Sequence, residues 1–317
     1  MPETNYDAEH ANQRGALERV LLANLEEQRR ARRWGIFFKM TGLLILVAIL
    51  VVAISREEGE FAGTGPHTAL VELQGEIGGE DGVLADDMIG ALASAFEDKR
   101  TKAVVLRCNS PGGSPVQSGQ INDEIRRLRA KYPQIPLYAV VDDICASGGY
   151  YIIAAADKIF VDKASIVGSI GVLMDGFGFT EAMNKVGVER RLLTAGANKG
   201  FLDPFSPVDA QQETHAKQML EEIHQQFIQV VRQGRGKRLK ENDDVFSGLV
   251  WSGAASIDIG LSDGLGSLDF VAREVVKAED ILDFTPQEGL AERLARRIGT
   301  SIANGLQPWL KTQAQLR

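Results

Sequence analysis

Short apolar segments alternate with longer amphipathic segments along the middle of the chain. The apolar segments are rich in Val, Ile, Leu and Ala and cover residues 68–73, 103–108, 135–141 and 158–161. Helical spacing is found in the two segments that separate the last three apolar segments, residues 116–131 and residues 149–156. Because parallel strands need crossovers between them, this alternation predicts an α/β domain with a parallel sheet.

Two further elements follow this region. Residues 188–194 form an apolar segment typical of a strand, and residues 209–233 have the periodicity of a long amphipathic helix. The tail at 285–317 repeats Leu or Ile at every fourth position, with arginines between them. That tail is expected either to pack on the domain or to lie on a membrane surface.

An almost continuous apolar stretch, residues 34–55, lies near the amino terminus. Its 22 residues would form about 33 Å of helix, which matches a hydrocarbon core of about 30 Å. Lys39 is its only charged residue. Arginines precede the stretch and glutamates follow it, so the positive-inside rule places residues 1–33 in the cytoplasm and everything after residue 55 across the membrane. A cleaved signal peptide is the alternative, although such a signal rarely has so long a polar segment before its apolar core.

Changes in composition divide the chain further. Residues 56–66 are charged and glycine-rich, as a linker is, and the alternating apolar segments begin directly after them. The sequence therefore predicts five parts: a cytoplasmic tail at 1–33, a transmembrane helix at 34–55, a linker at 56–66, an α/β domain at 67–284 and a tail at 285–317.

The overall composition is that of a globular protein, with 44% hydrophobic and 25% charged residues. The net charge of -8 argues against a nucleic-acid partner, which would select for a basic surface. Cys108 and Cys145 lie in apolar segments without the spacing of a zinc or redox site. We interpret them as buried, unpaired side chains in preference to a disulfide.

Ser147 lies between an apolar segment that ends near Val141 and an alanine-rich helix that begins near Gly149. Backbone N–H groups at the start of that helix would stabilise the oxyanion formed when a serine attacks a carbonyl. Serine at such a position is more commonly a helix N-cap, and the segment by itself leaves both interpretations open. Asp142 and Asp143 fit a turn better than an acid pair.

A second glycine-rich loop at residues 109–114, Asn-Ser-Pro-Gly-Gly-Ser, follows another apolar segment. The carboxyl ends of parallel strands meet at one edge of a sheet, so this loop can face Ser147 across a pocket. An ordinary strand-to-helix turn is the alternative. The loop lacks the Lys-Ser/Thr ending of a P-loop.

A serine nucleophile needs a base, and the four histidines are poorly placed for that role. His10 lies in the predicted cytoplasmic tail and His67 at the linker. His215 and His224 lie in the long helix, at positions that favour solvation. A Ser-His-Asp triad is therefore not expected, and the histidines also lack the spacing of a metal site.

Lys199 is the remaining candidate base. Its loop has no other charge close by and is flanked by Phe201 and Leu202, surroundings that can desolvate an amine and keep it neutral. A surface lysine is the common case, so the spacing leaves this role open.

Five motifs together carry a resemblance. They are Asn-Ser-Pro-Gly-Gly at 109–113, Ala-Ser-Gly-Gly-Tyr-Tyr at 146–151, Val-Gly-Ser-Ile-Gly-Val at 167–172, the Lys199 loop before Pro204, and Trp-Ser-Gly at 251–253 leading to Gly260. The sequence resembles the signal peptide peptidase A family of bacterial Ser-Lys peptidases from about residue 68 to residue 271. That family has a fold related to the ClpP protease and the crotonases.

The resemblance implies a role for six residues. Ser147 attacks the substrate carbonyl, Lys199 accepts its proton and Ser169 orients the lysine. The oxyanion would be bound by N–H groups of Gly148 and of Gly112 or Gly113. Neither a metal nor a cofactor is expected.

The resemblance also implies substrates and partners. Family members degrade signal peptides left in the membrane and other short exported peptides, and they form rings in which neighbouring subunits line the active sites. The expected location is the bacterial inner membrane, with the catalytic domain outside the cytoplasm. This chain has one copy of the catalytic region, as the short form of the family does.

One departure concerns the lysine loop, which reads Ala-Asn-Lys-Gly where the family often has an aromatic residue before the lysine and a serine after it. Two alternative functions stay open. One is an acyl-transfer hydrolase on the same fold, and the other is a membrane scaffold that has lost catalytic activity.

Overall fold

The computed structural model describes residues 28–30, 32–48, 65–79 and 82–286. By its internal contacts the chain divides into two compact units. One contains residues 63–288, and the other contains residues 1–62 together with residues 289–317. The first of these units contains every motif of the resemblance.

In the other unit, residues 32–48 form a helix whose apolar side chains, Phe38 and Leu44 among them, are largely exposed. Within the described residues, no helix combines the length and the apolar character that crossing a bilayer requires. The predicted span continues through residues 49–55, which lie outside the described part, as do most of the linker and the tail from residue 287 onward. The membrane span stays a prediction.

The unit at residues 63–288 is built on an eight-stranded sheet. Its strands are β1 His67–Gln74, β2 Thr101–Ser110, β3 Leu137–Ala146, β4 Lys158–Val161, β5 Ile166–Gly168, β6 Val250–Ser252, β7 Gly264–Leu265 and β8 Ile281–Asp283. The order across the sheet is β6-β5-β3-β2-β1-β8, with β4 beside the first half of β3 and β7 beside β4. All neighbours are parallel except β5 and β6. The predicted α/β fold with a mostly parallel sheet is confirmed.

Helices connect most of these strands. They are α1 Ala85–Glu97, α2 Pro115–Lys131, α3 Gly148–Ile153, α4 Thr180–Val186, α5 Ala210–Arg235, α6 Gly253–Asp258 and α7 Leu268–Phe270, with a 3-10 turn at Gly236–Arg238 and a π-helical turn at Val271–Val276. Leu92 of α1 and Ile121 and Ile125 of α2 belong to the same buried core as the strands. Because β1, β2 and β3 are buried along most of their length, their sequences read as continuous apolar segments.

Several predictions of local structure are wrong. Residues 188–194 have no partner strand and are exposed, with Leu193 95% exposed, so they do not form a strand. β3 continues past Val141 to Ala146, because β5 pairs with its second half and keeps it extended. Asp142 and Asp143 therefore lie in a strand and not in a turn. His67 likewise belongs to β1 and is buried, not part of the linker.

The interpretation of the two cysteines as unpaired is also wrong. Cys108 of β2 and Cys145 of β3 form a disulfide, with their Cα atoms 5.7 Å apart. Both are fully buried. They are 37 positions apart in sequence, so only the pairing of the two strands brings them together.

A buried ion pair holds the carboxyl-terminal part of the sheet. Arg235, the last residue of α5, is 1% exposed and donates to the Gly260 carbonyl at 2.9 Å and to the Asp263 carboxylate at 2.8 Å. Asp263 also accepts the Ile159 N–H and pairs with Arg238. Burial by itself raises the pKa of Asp263. The hydrogen bond and charge of Arg235, together with the Ile159 N–H and the charge of Arg238, outweigh burial, so the pKa lies below its ordinary value.

Arg235→Met should lower the free energy of unfolding by about 1.5–3 kcal/mol at pH 7, because it removes a charge-assisted hydrogen bond from a half-buried carboxylate that keeps Arg238 and the Ile159 N–H as partners. Urea unfolding followed by circular dichroism measures this. Arg232→Met in the same helix is the control, since it breaks an exposed pair with Glu241 and should cost about 1 kcal/mol or less.

The same pair predicts a pH dependence. The pKa of Asp263 is lower in the folded state than in the unfolded state, so its stabilisation is present above pH 4 or so and is lost as the pH falls through the folded-state pKa. The difference in stability between wild type and Arg235→Met should therefore shrink below about pH 4. An equal difference at pH 7 and pH 3 would contradict the ion-pair explanation.

Candidate active site

Ser147 is the residue between β3 and α3. Its backbone has φ 51° and ψ −123°, a conformation that costs energy for a residue with a side chain. Two hydrogen bonds of 2.9 Å hold it, from the Ser147 N–H to the Gly168 carbonyl and from the Tyr151 N–H to the Ser147 carbonyl. A strained turn between a strand and a helix also presents the nucleophile of the α/β-hydrolases.

The hydroxyl of Ser147 does not cap α3. By contrast, Ser114, Ser252 and Ser267 each accept a backbone N–H at the start of their own helices. Ser147 thus occupies the N-cap position of α3, but its side chain makes no capping hydrogen bond there. Its half-buried hydroxyl is left available for chemistry.

The glycine loop faces Ser147. Gly112 and Gly113 have φ values of 109° and 144°, which side chains rarely tolerate. A methyl group at Gly112 would lie 2.7 Å from both the Gly148 nitrogen and the Ser147 Cβ, and one at Gly148 would lie 3.2 Å from the Gly113 nitrogen. These close approaches explain why glycine is needed on both sides.

Two backbone N–H groups at this point are unoccupied. The Gly112 N–H donates to Ser110 Oγ at 3.2 Å, but no acceptor in the described part of the chain takes the N–H of Gly113 or of Gly148. Both belong to residues that adjoin Ser147 in space. A pair of preorganised N–H donors beside a nucleophile is what an oxyanion requires.

Ile77 fixes the position of this loop. Its N–H donates to the Gly112 carbonyl at 2.9 Å, and its carbonyl accepts the Ser114 N–H at 2.8 Å. The loop therefore adds a short strand-like pair to the residues that follow β1. Bonds on both sides of Gly113 hold its N–H in place.

A cavity of about 620 Å³ opens over Ser147. Ser169 also lines it, and Glu76 is the only charged residue among those that do. Much of the remaining wall is apolar and comes from Val172, Leu173, Ile223 and Phe227. A cleft that combines apolar side chains with several polar groups is typical of a substrate site.

The loop after β5 carries Ser169. Its φ is 52°, and its N–H donates to the Leu249 carbonyl at 2.7 Å. His224 of α5 supports this loop, since its Nε2 lies 3.0 Å from the Ile170 carbonyl. The expectation that His224 is solvated is wrong, because the side chain is half-buried. In the sequence, the position of His224 next to Ile223, on the apolar face of the helix, could have indicated this burial.

Lys199 is the one predicted catalytic residue that does not join this group. Its side chain is exposed, and it is absent from the residues that line the Ser147 cavity. It lies in a turn of an arm that we define as residues 172–208. The structure of a single chain therefore brings Ser147 together with Ser169, Gly148 and the glycine loop but not with the lysine.

The arm has internal structure of its own. The Phe179 N–H donates to the Pro204 carbonyl at 2.7 Å, and the rings of Phe179 and Phe205 stack with centroids 5.4 Å apart. Arg190 pairs with Asp203 at 3.0 Å. These contacts tie the first half of the arm to residues 203–205. None of these contacts involves the turn with Lys199.

The arm also exposes much apolar surface. Leu173, Phe177 and Val208 are 80%, 78% and 79% exposed. A second cavity, of about 1040 Å³, is lined by the arm and the start of α5. Exposed apolar residues grouped on one segment mark an interaction surface.

Within the described residues there is no cluster of three or more His, Cys, Asp or Glu side chains that could hold a metal ion. The groups nearest to the Ser147 hydroxyl include the backbone N–H donors of Gly113 and Gly148, and the Ser169 hydroxyl and the Glu76 carboxylate line the same cavity. Their arrangement suits nucleophilic attack on a carbonyl.

Residues 129–282 match the family model of Peptidase family S49. The matched region contains Ser147, Ser169 and Lys199 and begins after the glycine loop. It therefore covers Ser147 and the arm but not Gly112 and Gly113.

Individual relatives extend this result. Protease 4 of Haemophilus influenzae is 32% identical over 222 residues, which are 68% of this chain and 35% of that protein. A candidate signal peptide peptidase SppA of Enterococcus faecium is 30% identical over 189 residues, 60% of this chain and 54% of that protein. The Na(+)/H(+) antiporter NhaA of Brucella melitensis is 46% identical over 211 residues, 66% of this chain and 28% of that protein.

The aligned part is about half the length of these relatives or less. In the antiporter it is 28% of the protein, so the transport in that protein's name is not carried over to this chain. The family model and these two relatives are named as peptidases or proteases. The chain belongs to peptidase family S49, a family of serine proteases.

Proposed function

We propose that this chain is a membrane-anchored serine endopeptidase that cleaves signal peptides and other short exported peptides. The observation that carries the proposal is the strained Ser147, whose hydroxyl makes no capping hydrogen bond, beside the free N–H groups of Gly113 and Gly148 at a cavity. The apolar part of the cavity wall suits the apolar core of a signal peptide.

In the first step, Ser147 Oγ attacks the carbonyl carbon of the scissile peptide bond, and its proton passes to the neutral amine of Lys199. The carbonyl oxygen becomes an oxyanion, which accepts hydrogen bonds from the Gly113 and Gly148 N–H groups. Gly113 suits this role better than Gly112, whose N–H is already bonded to Ser110. Removing one such donor typically costs a hundredfold or more in rate, about 2.7–4 kcal/mol.

In the second step, the carbon–nitrogen bond breaks and the leaving amine takes the proton from the lysine. An acyl-enzyme on Ser147 remains. Water then attacks the ester carbonyl, again losing its proton to Lys199, and the free carboxylic acid and the serine hydroxyl are released. Ser169 lies in the same cavity as Ser147 and would orient the amine by a hydrogen bond.

The lysine is best supplied by a neighbouring copy of the chain. In a single copy, Lys199 lies outside the Ser147 cavity and the arm exposes apolar side chains that a partner would cover. A head-to-tail contact of this kind forms a closed ring when the rotation between neighbouring copies divides a full turn evenly. Each site would then combine Ser147 of one copy with Lys199 of the next.

Two observations support a catalytic domain outside the cytoplasm. The charges on either side of residues 34–55 have the positive-inside distribution. The disulfide between Cys108 and Cys145 is of the kind that persists in oxidising compartments. The exposed apolar helix at 32–48 would form the first part of a membrane anchor.

Ser147→Ala should abolish peptide hydrolysis and labelling by a fluorophosphonate while leaving the fold intact, because it removes only the nucleophilic oxygen. Peptide cleavage by the full detergent-purified chain measures this, and circular dichroism checks the fold. Ser94→Ala is the control, since that hydroxyl bonds only within α1. A wild type that neither cleaves peptides nor reacts would instead support a non-catalytic scaffold.

Lys199→Arg should be as inactive as Lys199→Ala, since a guanidinium stays charged and cannot accept the proton. If the dyad is shared, mixing Lys199→Ala with Ser147→Ala and reassembling the oligomer should restore activity. In a ring of randomly mixed copies, about a quarter of the sites would have both groups intact. Oligomers that stay inactive after verified mixing would place both residues in one chain.

A reporter enzyme that works only outside the cytoplasm should be active when fused after Arg317. The same reporter fused before residue 28 should be silent, because the arginines ahead of the apolar stretch retain that end in the cytoplasm. The opposite pair of results would reverse the topology and remove exported peptides as the substrate class.

A further inference from the structure

The register between β2 and β3 changes directly below the active site. Cys108 pairs with Val141, whereas Ser110 pairs with Cys145. Three residues of β3, 142–144, therefore stand opposite the single residue Asn109. At this bulge β3 also changes its other neighbour from β4 to β5.

This shift decides the geometry of the oxyanion hole. Gly112 follows Ser110 by two residues, and Ser147 follows Cys145 by two residues. A slip of one residue along either strand would move the glycine loop by about 3.3 Å relative to Ser147. Catalytic groups must be held to within about 0.5 Å, so the shifted register has to be fixed tightly.

The disulfide fixes it covalently. Cys108 is the last residue of β2 before the bulge and Cys145 is the first residue of β3 after it, so the bond spans the region where the backbone ladder is interrupted. The bond also lies under α3, since a methyl group at Gly149 would be 3.3 Å from the Cys145 sulfur. One buried link thus touches the strand of the glycine loop and the helix that begins at Gly148.

The other contacts at the bulge are non-covalent. Arg107 donates to Asp142 at 2.8 Å and to Glu72 at 3.1 Å, and these three side chains are partly exposed. Ser165 Oγ donates to the Asp142 carbonyl at 2.5 Å. These bonds support the outer side of the bulge but do not link β2 to the residues after it.

We propose that the Cys108–Cys145 disulfide is a positioning element of the oxyanion hole, and that its formation after export activates the enzyme. The inference rests on the proposed peptidase function. In the reducing cytoplasm the chain would keep two thiols and a loosely held register, so that cytoplasmic peptides are spared. Outside, the two thiols lose two protons and two electrons to an oxidised thiol–disulfide oxidoreductase, which becomes a dithiol.

The test compares two double variants of the full, detergent-purified chain. Cys108→Ala with Cys145→Ala removes the link, while Val105→Ala with Val140→Ala creates voids in the same two strands away from the bulge. Peptide hydrolysis is measured at a temperature at which both variants are folded. The cysteine variant should lose about 10- to 100-fold in kcat with KM changed by less than about twofold, because the oxyanion exists only in the transition state.

A redox experiment separates an effect on the position of the oxyanion hole from a general loss of stability. Wild type that is reduced in mild denaturant and returned to buffer with reductant should show the same loss of kcat, and oxidised glutathione should restore it. The cysteine variant should respond to neither reagent. The valine variant should have a kcat within about threefold of the wild-type value, and it should lose activity on reduction as wild type does.

Three outcomes would overturn the inference. The first is a cysteine variant with the same kcat as the valine variant, and the second is a reduced wild type with full activity. The third is mass spectrometry of the denatured, alkylated protein that finds two free thiols. A wild type without peptide hydrolysis would instead refute the proposed function itself, and the inference with it.

Discussion

In the pairing of β2 with β3, Ser110 lies opposite Cys145. This pair follows a bulge in which three residues of β3 lie opposite one residue of β2. Parallel strands bring their carboxyl ends to the same edge of a sheet, but they do not by themselves align two particular loops. The bulge supplies that alignment. It places Gly112 against Ser147 so closely that a side chain at Gly112 would collide with the Gly148 nitrogen.

Helix α3, which follows Ser147, is supported by polar groups that do not line the Ser147 cavity. Tyr150 of α3 is fully buried, and its hydroxyl donates to the Leu261 carbonyl at 2.7 Å. Burial raises the pKa of Tyr150, so the phenol stays neutral and keeps its donor. Arg235 binds the preceding carbonyl, that of Gly260, and so fixes the same loop. The carboxyl-terminal elements thus position α3, although they are distant from Ser147 in sequence.

A single chain holds an incomplete version of the proposed dyad. Ser147 and the N–H groups of Gly113 and Gly148 lie together at one cavity, whereas the proposed base, Lys199, lies in an exposed turn of the arm at residues 172–208. The arm exposes apolar side chains that water solvates poorly, and burying them against another copy would stabilise an assembly. Assembly and completion of the active site would then be one event.

The sequence by itself determined the α/β class, the main strands and the place of Ser147 before a helix. Each of these depends on local pattern: buried parallel strands read as apolar runs, and α5 has a continuous apolar face. The disulfide, the extension of β3 to Ala146 and the support of the Ser169 loop by His224 were decided by the tertiary structure.

The physical reason is the same in each of these cases. Cys108 and Cys145, β3 and β5, and His224 and Ile170 are partners that lie far apart in the chain, and no periodicity records which strands pair or in which register. The predicted strand at 188–194 failed for the converse reason. Its apolar pattern is real, but no neighbouring strand supplies the hydrogen bonds that would make it part of the sheet.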